Sequence, residues 1–273
     1  MNRQLQIEEI KNHWERRGLY EAILSALTES GKPLDNLTID DLEPIDQFHG
    51  GRKRMTVHLA ELASLRPNMQ VLDVGGGLGG AARTLAVEFG CIVTVLDLTE
   101  TYIEAGKMLN SLLKLDDRIT FHVGNALELP FANSAFDVVW TQNSGMNIAE
   151  KEKLYSQFHR VLRPAGLLAI QEPMAGPNQP PIFPVMWSRD GANHFLRAPH
   201  EMRQWIEAAG FRSLKWVEVT GAKEAPRATT PTHTIQSLVM GKELLAEIRR
   251  IGERNEAEKR IVMYQGVFDK PLP

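Results

Sequence analysis

Five glycines lie within six positions of the sequence VLDVGGGLGG (71–80), directly after a short apolar stretch. Glycine loses more conformational freedom on folding than any other residue, so this cluster indicates a backbone that turns sharply or approaches a ligand closely. Gly75, Gly77 and Gly80 have the G-x-G-x-x-G spacing of nucleotide-binding loops, in which the N–H groups of the following helix bind the ligand. The cluster predicts a nucleotide-like ligand, and a tight turn without a ligand is the alternative.

Two acids near this loop discriminate between candidate ligands. Asp97 ends the next apolar stretch, IVTVLD, where a carboxylate can accept hydrogen bonds from both hydroxyls of an adenosine ribose. This position suits NAD and S-adenosylmethionine equally. Asp73 precedes the glycines, where it would repel a pyrophosphate but favour an ammonium group beside a sulfonium. The two acids together favour S-adenosylmethionine, although a local role in capping the turn is the alternative for Asp73.

The elements that must position these residues alternate along the chain between short apolar strands and amphipathic helices. This pattern, with strands that are almost continuously hydrophobic, is typical of a doubly wound α/β fold in which helices cover both faces of a parallel sheet. The strands are predicted at residues 70–74, 92–98, 118–124, 135–142, 166–172 and 212–220.

Two segments lie outside this alternation. Residues 1–65 show helical spacing of apolar residues and predict an N-terminal helical lid, while residues 66–273 predict the core. Within the core, residues 173–197 contain five prolines and no hydrophobic period, so we expect a cap insertion after the fifth strand. Long irregular loops in compact domains are often functional. We expect lid, core and cap to form one structural domain.

Four motifs resemble those of class I S-adenosylmethionine-dependent methyltransferases over about residues 65–220. They are VLDVGGGLGG, VTVLDLT, GNALELPFANSAFDVVW and RVLRPAGLLAIQEP, in this order. The resemblance implies a Rossmann-like seven-stranded sheet whose last strand, RIVMYQGVF, is antiparallel. It also implies in-line transfer of a methyl group from S-adenosylmethionine to a small amine, natural-product carbon or hydroxyl.

A narrower resemblance involves DQFHGGRKRMTVHLAEL (46–62) and the stretch from Trp140 to Pro164. These are similar to the branch that contains sarcosine and dimethylglycine N-methyltransferases and, more distantly, tocopherol and sterol C-methyltransferases. In that branch the residues before the first strand cover the cofactor. Asn125 stands where the class usually has an acid, and we expect its amide oxygen to accept from the adenine amino group. The cofactor-binding residues so implied are Gln47, Asp73, Gly75, Gly77, Asp97, Leu98, Asn125, Ala126 and Gln142.

The acceptor side of the site has one candidate general base, His49, because histidine titrates near neutrality. A structural role in the lid is the alternative for His49. Aromatic and methionine side chains of the insertion can hold a cationic acceptor or simply seal the cap onto the sheet. We expect the pocket to be more apolar than charged. The candidate acceptor-binding residues are Asn143, Met146, Glu172, Met174, Trp187 and His194.

Composition limits the remaining function classes. The 273 residues include 31 Lys and Arg against 34 Asp and Glu, and this net charge of −3 argues against nucleic acid as a partner. We expect no membrane span, no signal peptide and, with the single Cys91, neither a disulfide nor a cysteine-based metal site. A cytoplasmic protein follows, and a homodimer is left open. Two alternatives stand beside the methyltransferase: an NAD(P)-dependent oxidoreductase, against which the missing Tyr-x-x-x-Lys pair counts, and a non-methylating protein that keeps the cofactor structurally.

Overall fold

Seven strands form a single sheet in the computed structural model, which describes residues 3–221 and 233–272. They are β1 (Gln70–Val74), β2 (Ile92–Asp97), β3 (Ile119–Val123), β4 (Phe136–Gln142), β5 (Leu162–Ala175), β6 (Arg212–Glu218) and β7 (Ile261–Asp269). Their order is β3-β2-β1-β4-β5-β7-β6, and β7 runs antiparallel to both neighbours while the other pairs are parallel. The predicted doubly wound, Rossmann-like fold with an antiparallel last strand is confirmed.

Helices cover both faces of this sheet. Those in the described ranges are α1 (Arg3–Trp14), α2 (Leu19–Glu29), α3 (Ile39–Asp46), α4 (Arg52–Leu62), α5 (Gly80–Phe89), α6 (Glu100–Leu112), α7 (Lys151–Val161), α8 (Pro199–Ala208), α9 (Ile235–Met240) and α10 (Lys242–Ala257). Apolar residues of α4, α5 and α6 pack on one face, and those of α7 and α8 pack on the other. In the described part of the chain, no helix combines the length and the hydrophobicity needed to span a bilayer.

The N-terminal helices pack directly on the core. Leu19 and Ile23 of α2 and Leu42 of α3 share one apolar cluster with Leu109 of α6 and Ile235 of α9. Helix α3 was not foreseen from the hydrophobic pattern, because it is short and contains a proline. Its signal is the capping box at its start, where the Thr38 hydroxyl and the Asp41 carboxylate each accept the other residue's backbone N–H.

The insertion after β5 begins later than predicted. Strand β5 continues to Ala175, because its pairing with β7 extends from Leu167 to Ala175. The irregular cap therefore occupies residues 176–197. Its buried Val185, Trp187 and Leu196 pack on Met146, which follows β4.

Candidate functional site

A cavity of about 380 Å³ lies at the carboxyl ends of the parallel strands. The loops after β1, β2, β3 and β4 line it, together with residues 46–50, helix α1 and part of the cap. Strand β1 lies between β2 and β4, so the strand order reverses here. Open α/β sheets bind their ligands at such a reversal, and this cavity is the candidate site.

The glycine-rich loop lies against the protein's own chain as well as the cavity. Gly75 and Gly77 have φ values of 73° and 55°, in the left-handed region that favours glycine. A Cβ at Gly75 would overlap the Ser144 side chain, and a Cβ at Gly80 would overlap the backbone oxygen of Asp46. By contrast, only Tyr102 would lie near a Cβ at Gly77, at 3.7 Å. The cluster therefore lets α3 and the loop after β4 close around the cavity.

Asp73 is a buried acid with an unused hydrogen-bonding oxygen. Its side chain is 1% exposed, and its Oδ2 has no hydrogen-bond partner among the described residues. Burial, and secondarily the nearby Asp97, raises the pKa of Asp73 to about 7. A buried carboxylate without a partner is costly, so this group favours a cationic ligand in the cavity.

Asp97 is held in place by the backbone on both sides of it. Its Oδ2 accepts from Gly77 N at 2.9 Å and its Oδ1 accepts from Thr99 N at 2.8 Å. Burial raises the pKa of Asp97, while these N–H groups oppose the shift. Each carboxylate oxygen can accept a second hydrogen bond, so Asp97 can still bind a pair of hydroxyls.

The loop after β3 brings Asn125 and Ala126 to the cavity, and Leu98 after β2 also lines it. The Asn125 Oδ1 accepts from Leu127 N at 2.9 Å. The predicted acceptor atom is therefore partly used in holding its own turn, and the amide NH₂ group is the part of Asn125 with no such local bond in the described ranges. A carbonyl oxygen can accept two hydrogen bonds, so the expected contact of Asn125 Oδ1 with an adenine amino group stays a prediction.

Gln142 lies at the cavity but belongs to a buried polar network. Its Oε1 accepts from Trp140 Nε1 at 3.0 Å and is 3.0 Å from Thr56 Oγ1, and its Nε2 lies 3.4 Å from Gln171 Oε1. Gln47 joins the same network through Thr56 Oγ1, which is 3.4 Å from its Oε1, and its Nε2 donates to Thr84 Oγ1 at 3.2 Å. These bonds fix the orientation of both glutamines beside the cavity.

The candidate base His49 is buried in this network. Its Nε2 lies 3.2 Å from Thr56 Oγ1, and its Nδ1 lies 3.3 Å from Gly50 O and 3.5 Å from Gln171 Nε2. Burial lowers the pKa of His49 to about 4. The imidazole is therefore neutral near pH 7, a weak base, and has protein partners at both nitrogens. This geometry favours the alternative, a structural role in the lid.

Three of the predicted acceptor-binding residues line the cavity and three do not. Asn143, Met146 and Trp187 line it. Glu172 and Met174 are buried on β5, and His194 packs in the cap, so these three do not lie among the residues that line the cavity.

Strand geometry explains the first two exceptions. Successive side chains of a strand point to opposite faces, and Gln171 is the one that faces the polar network at the cavity. Met174 packs in the apolar core under α7 and α8. Glu172 accepts from the N–H groups of Ser144 and Gly145, at 3.2 and 2.8 Å, and so holds the loop after β4.

His194 contacts other cap residues instead. Its Nδ1 accepts from Trp187 Nε1 at 3.3 Å, and its ring stacks on the Trp187 ring with centroids 6.1 Å apart. Phe183 contacts the same imidazole edge to face. His194 therefore orients Trp187. No signal of this contact is present in the sequence, because His194 lies in a proline-rich segment without hydrophobic periodicity.

Sequence reasoning also missed functional candidates. Ile7, Ile10 and Trp14 of α1 line the cavity, as does Asp46 at the end of α3. Helical spacing marks the first three as one face, but only the folded chain shows that this face covers the site and not the core. Asp46 adjoins Gln47 in the motif DQFHGG, which was the available signal for it.

Comparison with known proteins identifies the class of the central domain. Residues 72–170 match the family model described as methyltransferase domain. A sarcosine/dimethylglycine N-methyltransferase from Halorhodospira halochloris is 30% identical over 185 residues, which cover 66% of this chain and 64% of that protein. The chain spans less than two thirds of the length of the first curated relatives it matches.

Solved structures share the fold over nearly the whole chain. A geranyl diphosphate C-methyltransferase from Streptomyces coelicolor A3(2) has a TM-score of 0.66 at 18% identity, over 97% of this chain and 98% of its own. The [4+2]-cyclase SpnF has a TM-score of 0.65 at 20% identity, over 93% and 94%. The resemblance predicted from the sequence is confirmed: residues 72–170 match the methyltransferase domain model, and the chain shares the fold of these solved structures. A shared fold alone does not identify the reaction. The three proteins named in this comparison are an N-methyltransferase, a C-methyltransferase and a cyclase, and none of them is an oxidoreductase.

Proposed function

We propose that this protein is an S-adenosylmethionine-dependent methyltransferase that acts on a small molecule. The observation that carries the proposal is the placement of Asp73 and Asp97 on one cavity beside the glycine-rich loop. The buried Asp73 carboxyl, whose Oδ2 has no hydrogen-bond partner among the described residues, suits the ammonium group of an amino acid, and Asp97 suits the two hydroxyls of a ribose. The match of residues 72–170 to the methyltransferase domain supports the same cofactor.

The residues present fit this cofactor on the side of the cavity formed by the loops after β1, β2 and β3. In the proposal, Gly75 and Gly77 lie under its amino-acid end, Leu98 and Ala126 contact the adenine, and Asn125 offers its amide to the ring. Gln47 and Gln142, held by their network, flank the methionine part. When bound, S-adenosylmethionine supplies an electrophilic methyl group on a sulfonium.

The chain's own contribution to transfer is to position the acceptor. Correct orientation of two reactants can provide about 7–11 kcal/mol in the best cases, so displacement at a methyl group needs few catalytic side chains. Asn143 and Met146 would face the acceptor, and Trp14 and Trp187 would exclude water. We propose that His49 holds the lid against the loop after β4 and does not take up a proton.

The test is transfer of a labelled methyl group from S-adenosylmethionine to a panel of amines, phenols and polyketides. Labelled product with the native protein, and its loss in Asp73→Asn, is expected. Tight binding of the cofactor without transfer to any acceptor would favour the non-methylating alternative. A cytoplasmic location, the absence of nucleic-acid binding and a homodimer stay predictions, and size-exclusion chromatography with light scattering tests the last.

A further inference from the structure

We infer that the methyl acceptor is a neutral, predominantly apolar molecule and not an amino acid, a charged amine or a phosphate ester. This inference rests on the proposed function, because it concerns the part of the same cavity away from the glycine-rich loop. It is carried by the kinds of side chain that line this part and by the charges that are missing from it.

The wall of this part is apolar and comes from three separate elements. Helix α1 provides Ile7, Ile10 and Trp14, the loop after β4 provides Met146, and the cap provides Met186 and Trp187. Removing apolar surface from water is favourable in proportion to its area, so this wall selects ligands that bring apolar surface of their own.

The wall is held in place by polar contacts within the protein. The Trp14 ring packs edge to face on Phe48 at 5.2 Å, and its Nε1 lies 3.4 Å from Asn147 Oδ1. Asn147 Nδ2 donates to Trp187 O at 3.0 Å and to Asn193 O at 2.8 Å. The amide of Asn147 is thus used within the protein, which leaves little for a charged ligand to bind.

Anionic acceptors lack a counter-charge. In the described ranges, every charged side chain that lines the cavity is an acid: Asp46, Asp73 and Asp97, all next to the glycine-rich loop. Carboxylates and phosphates are normally bound by Arg or Lys, and burying one without a partner is costly. Three cations near the cavity are engaged within the protein: Lys151 bonds Gly145 O beside Glu172, Arg83 pairs with Asp46 at 3.0 Å, and Arg52 lies 3.8 Å from Glu43.

Cationic acceptors are disfavoured by position. The acids that could balance an ammonium group belong to the proposed cofactor side, and the buried Glu172 does not line the cavity. Aromatic rings could replace a carboxylate only by offering open faces, and His194 covers one face of Trp187 while the Trp14 ring is packed edge to face with Phe48. A neutral acceptor avoids both costs.

The test compares two pairs of ligands, each with a neutral and a charged member, and the members of the first pair share one apolar chain. The full-length protein, saturated with S-adenosylhomocysteine, is titrated in a calorimeter with geraniol and with geranyl diphosphate, then with 4-phenylphenol and sarcosine. We expect the two neutral probes to bind at least about tenfold more tightly than the charged ones. Tighter binding of either charged probe, or no binding of either neutral probe at millimolar concentration, would overturn the inference.

A substitution places the missing charge in the wall. Met186 is half-buried, so Met186→Lys should be tolerated, weaken binding of geraniol and strengthen binding of geranyl diphosphate. Met108→Lys is the matched control, because Met108 is 47% exposed on α6 and should change neither. Equal effects of the two substitutions would contradict the inference.

The proposed function and the inferred class of acceptor can be contradicted separately. If S-adenosylhomocysteine does not bind, the proposed function is contradicted, while geraniol and geranyl diphosphate titrated into the unloaded protein still decide the chemistry of the wall. If it binds and a charged probe is preferred, only the acceptor class is wrong.

Discussion

Arg83 and Asp46 form a buried ion pair between helices α5 and α3, with 3.0 Å between Arg83 Nε and Asp46 Oδ2. Both side chains are almost excluded from water. The same guanidinium donates from Nη2 to Leu78 O, at 2.6 Å, in the glycine-rich loop. Burial raises the pKa of Asp46, and Arg83 opposes that rise. One arginine therefore fastens the N-terminal helices to the loop that forms the proposed cofactor site.

Removal of this arginine should destabilise the protein strongly. In Arg83→Met the buried Asp46 carboxylate loses its partner, which typically costs about 3–5 kcal/mol of unfolding free energy. Urea denaturation measures the loss, and Arg83→Met with Asp46→Leu should recover most of it. Arg203→Met is the matched control: its pair with Glu207 is exposed, so a change below about 1 kcal/mol is expected. Equal effects at Arg83 and Arg203 would contradict this view of the pair.

Gly80 is expected to resist substitution for lack of space. A Cβ there would overlap the backbone oxygen of Asp46, so Gly80→Ala should lower the free energy of unfolding by about 1–3 kcal/mol and weaken cofactor binding. In the described ranges no atom lies within 4 Å of a Cβ built at Gly252 in α10, and Gly252→Ala should raise stability by about 0.5–1 kcal/mol. Thermal and urea unfolding measure the stability of the two variants. A Gly80→Ala variant as stable as the native protein would contradict the prediction and show that α3 can move away from residue 80.

His49 should matter for assembly of the site more than for proton transfer. General bases contribute about 100-fold to 10,000-fold to a rate, so a smaller effect of His49→Gln, below about tenfold on kcat, is expected. The measurement is kcat and KM with the best acceptor from the transfer panel. A loss above 100-fold in kcat, with cofactor affinity unchanged, would restore His49 as the base.

Cofactor affinity should depend on pH through Asp73. Its folded-state pKa is raised to about 7, so the carboxyl keeps its proton up to that pH, and its contribution to folding stability declines as pH rises towards about 7. An ammonium ligand favours the ionised form, so affinity for S-adenosylhomocysteine should rise between about pH 5.5 and 7.5, by at most about tenfold per unit. Asp73→Asn should flatten this dependence in calorimetry. A dependence that persists in Asp73→Asn would move the titration to another group, such as the neighbouring Asp97.

The parts of the site that the sequence predicted well are local. Asp73, Gly75 and Gly77 belong to one strand, turn and helix, and Asp97 ends the next strand, so an element pattern is enough to bring them together. Residues whose role depends on packing between distant segments were predicted less well. Asp46 and Arg83 are 37 residues apart and meet only because α3 lies on α5.

The positions of Glu172, Met174 and His194 away from the cavity lining have a physical cause as well. Glu172 and Met174 differ from Gln171 only in the face of the strand to which they point, and a strand buried on both faces shows no alternation from which that face can be read. His194 lies in a proline-rich segment whose path is set by its contacts with Trp187 and Met146 and not by a local period.

The central claim is that one cavity binds an adenosine-containing methyl donor through Asp97. Calorimetric titration of S-adenosylhomocysteine into the native protein and into Asp97→Asn tests it most directly. We expect saturable binding, one ligand per chain, that weakens at least about tenfold in Asp97→Asn, because the amide NH₂ faces Gly77 N–H or Thr99 N–H and a ribose acceptor is lost. Absence of binding to the native protein, or binding of NADH in its place, would contradict the account.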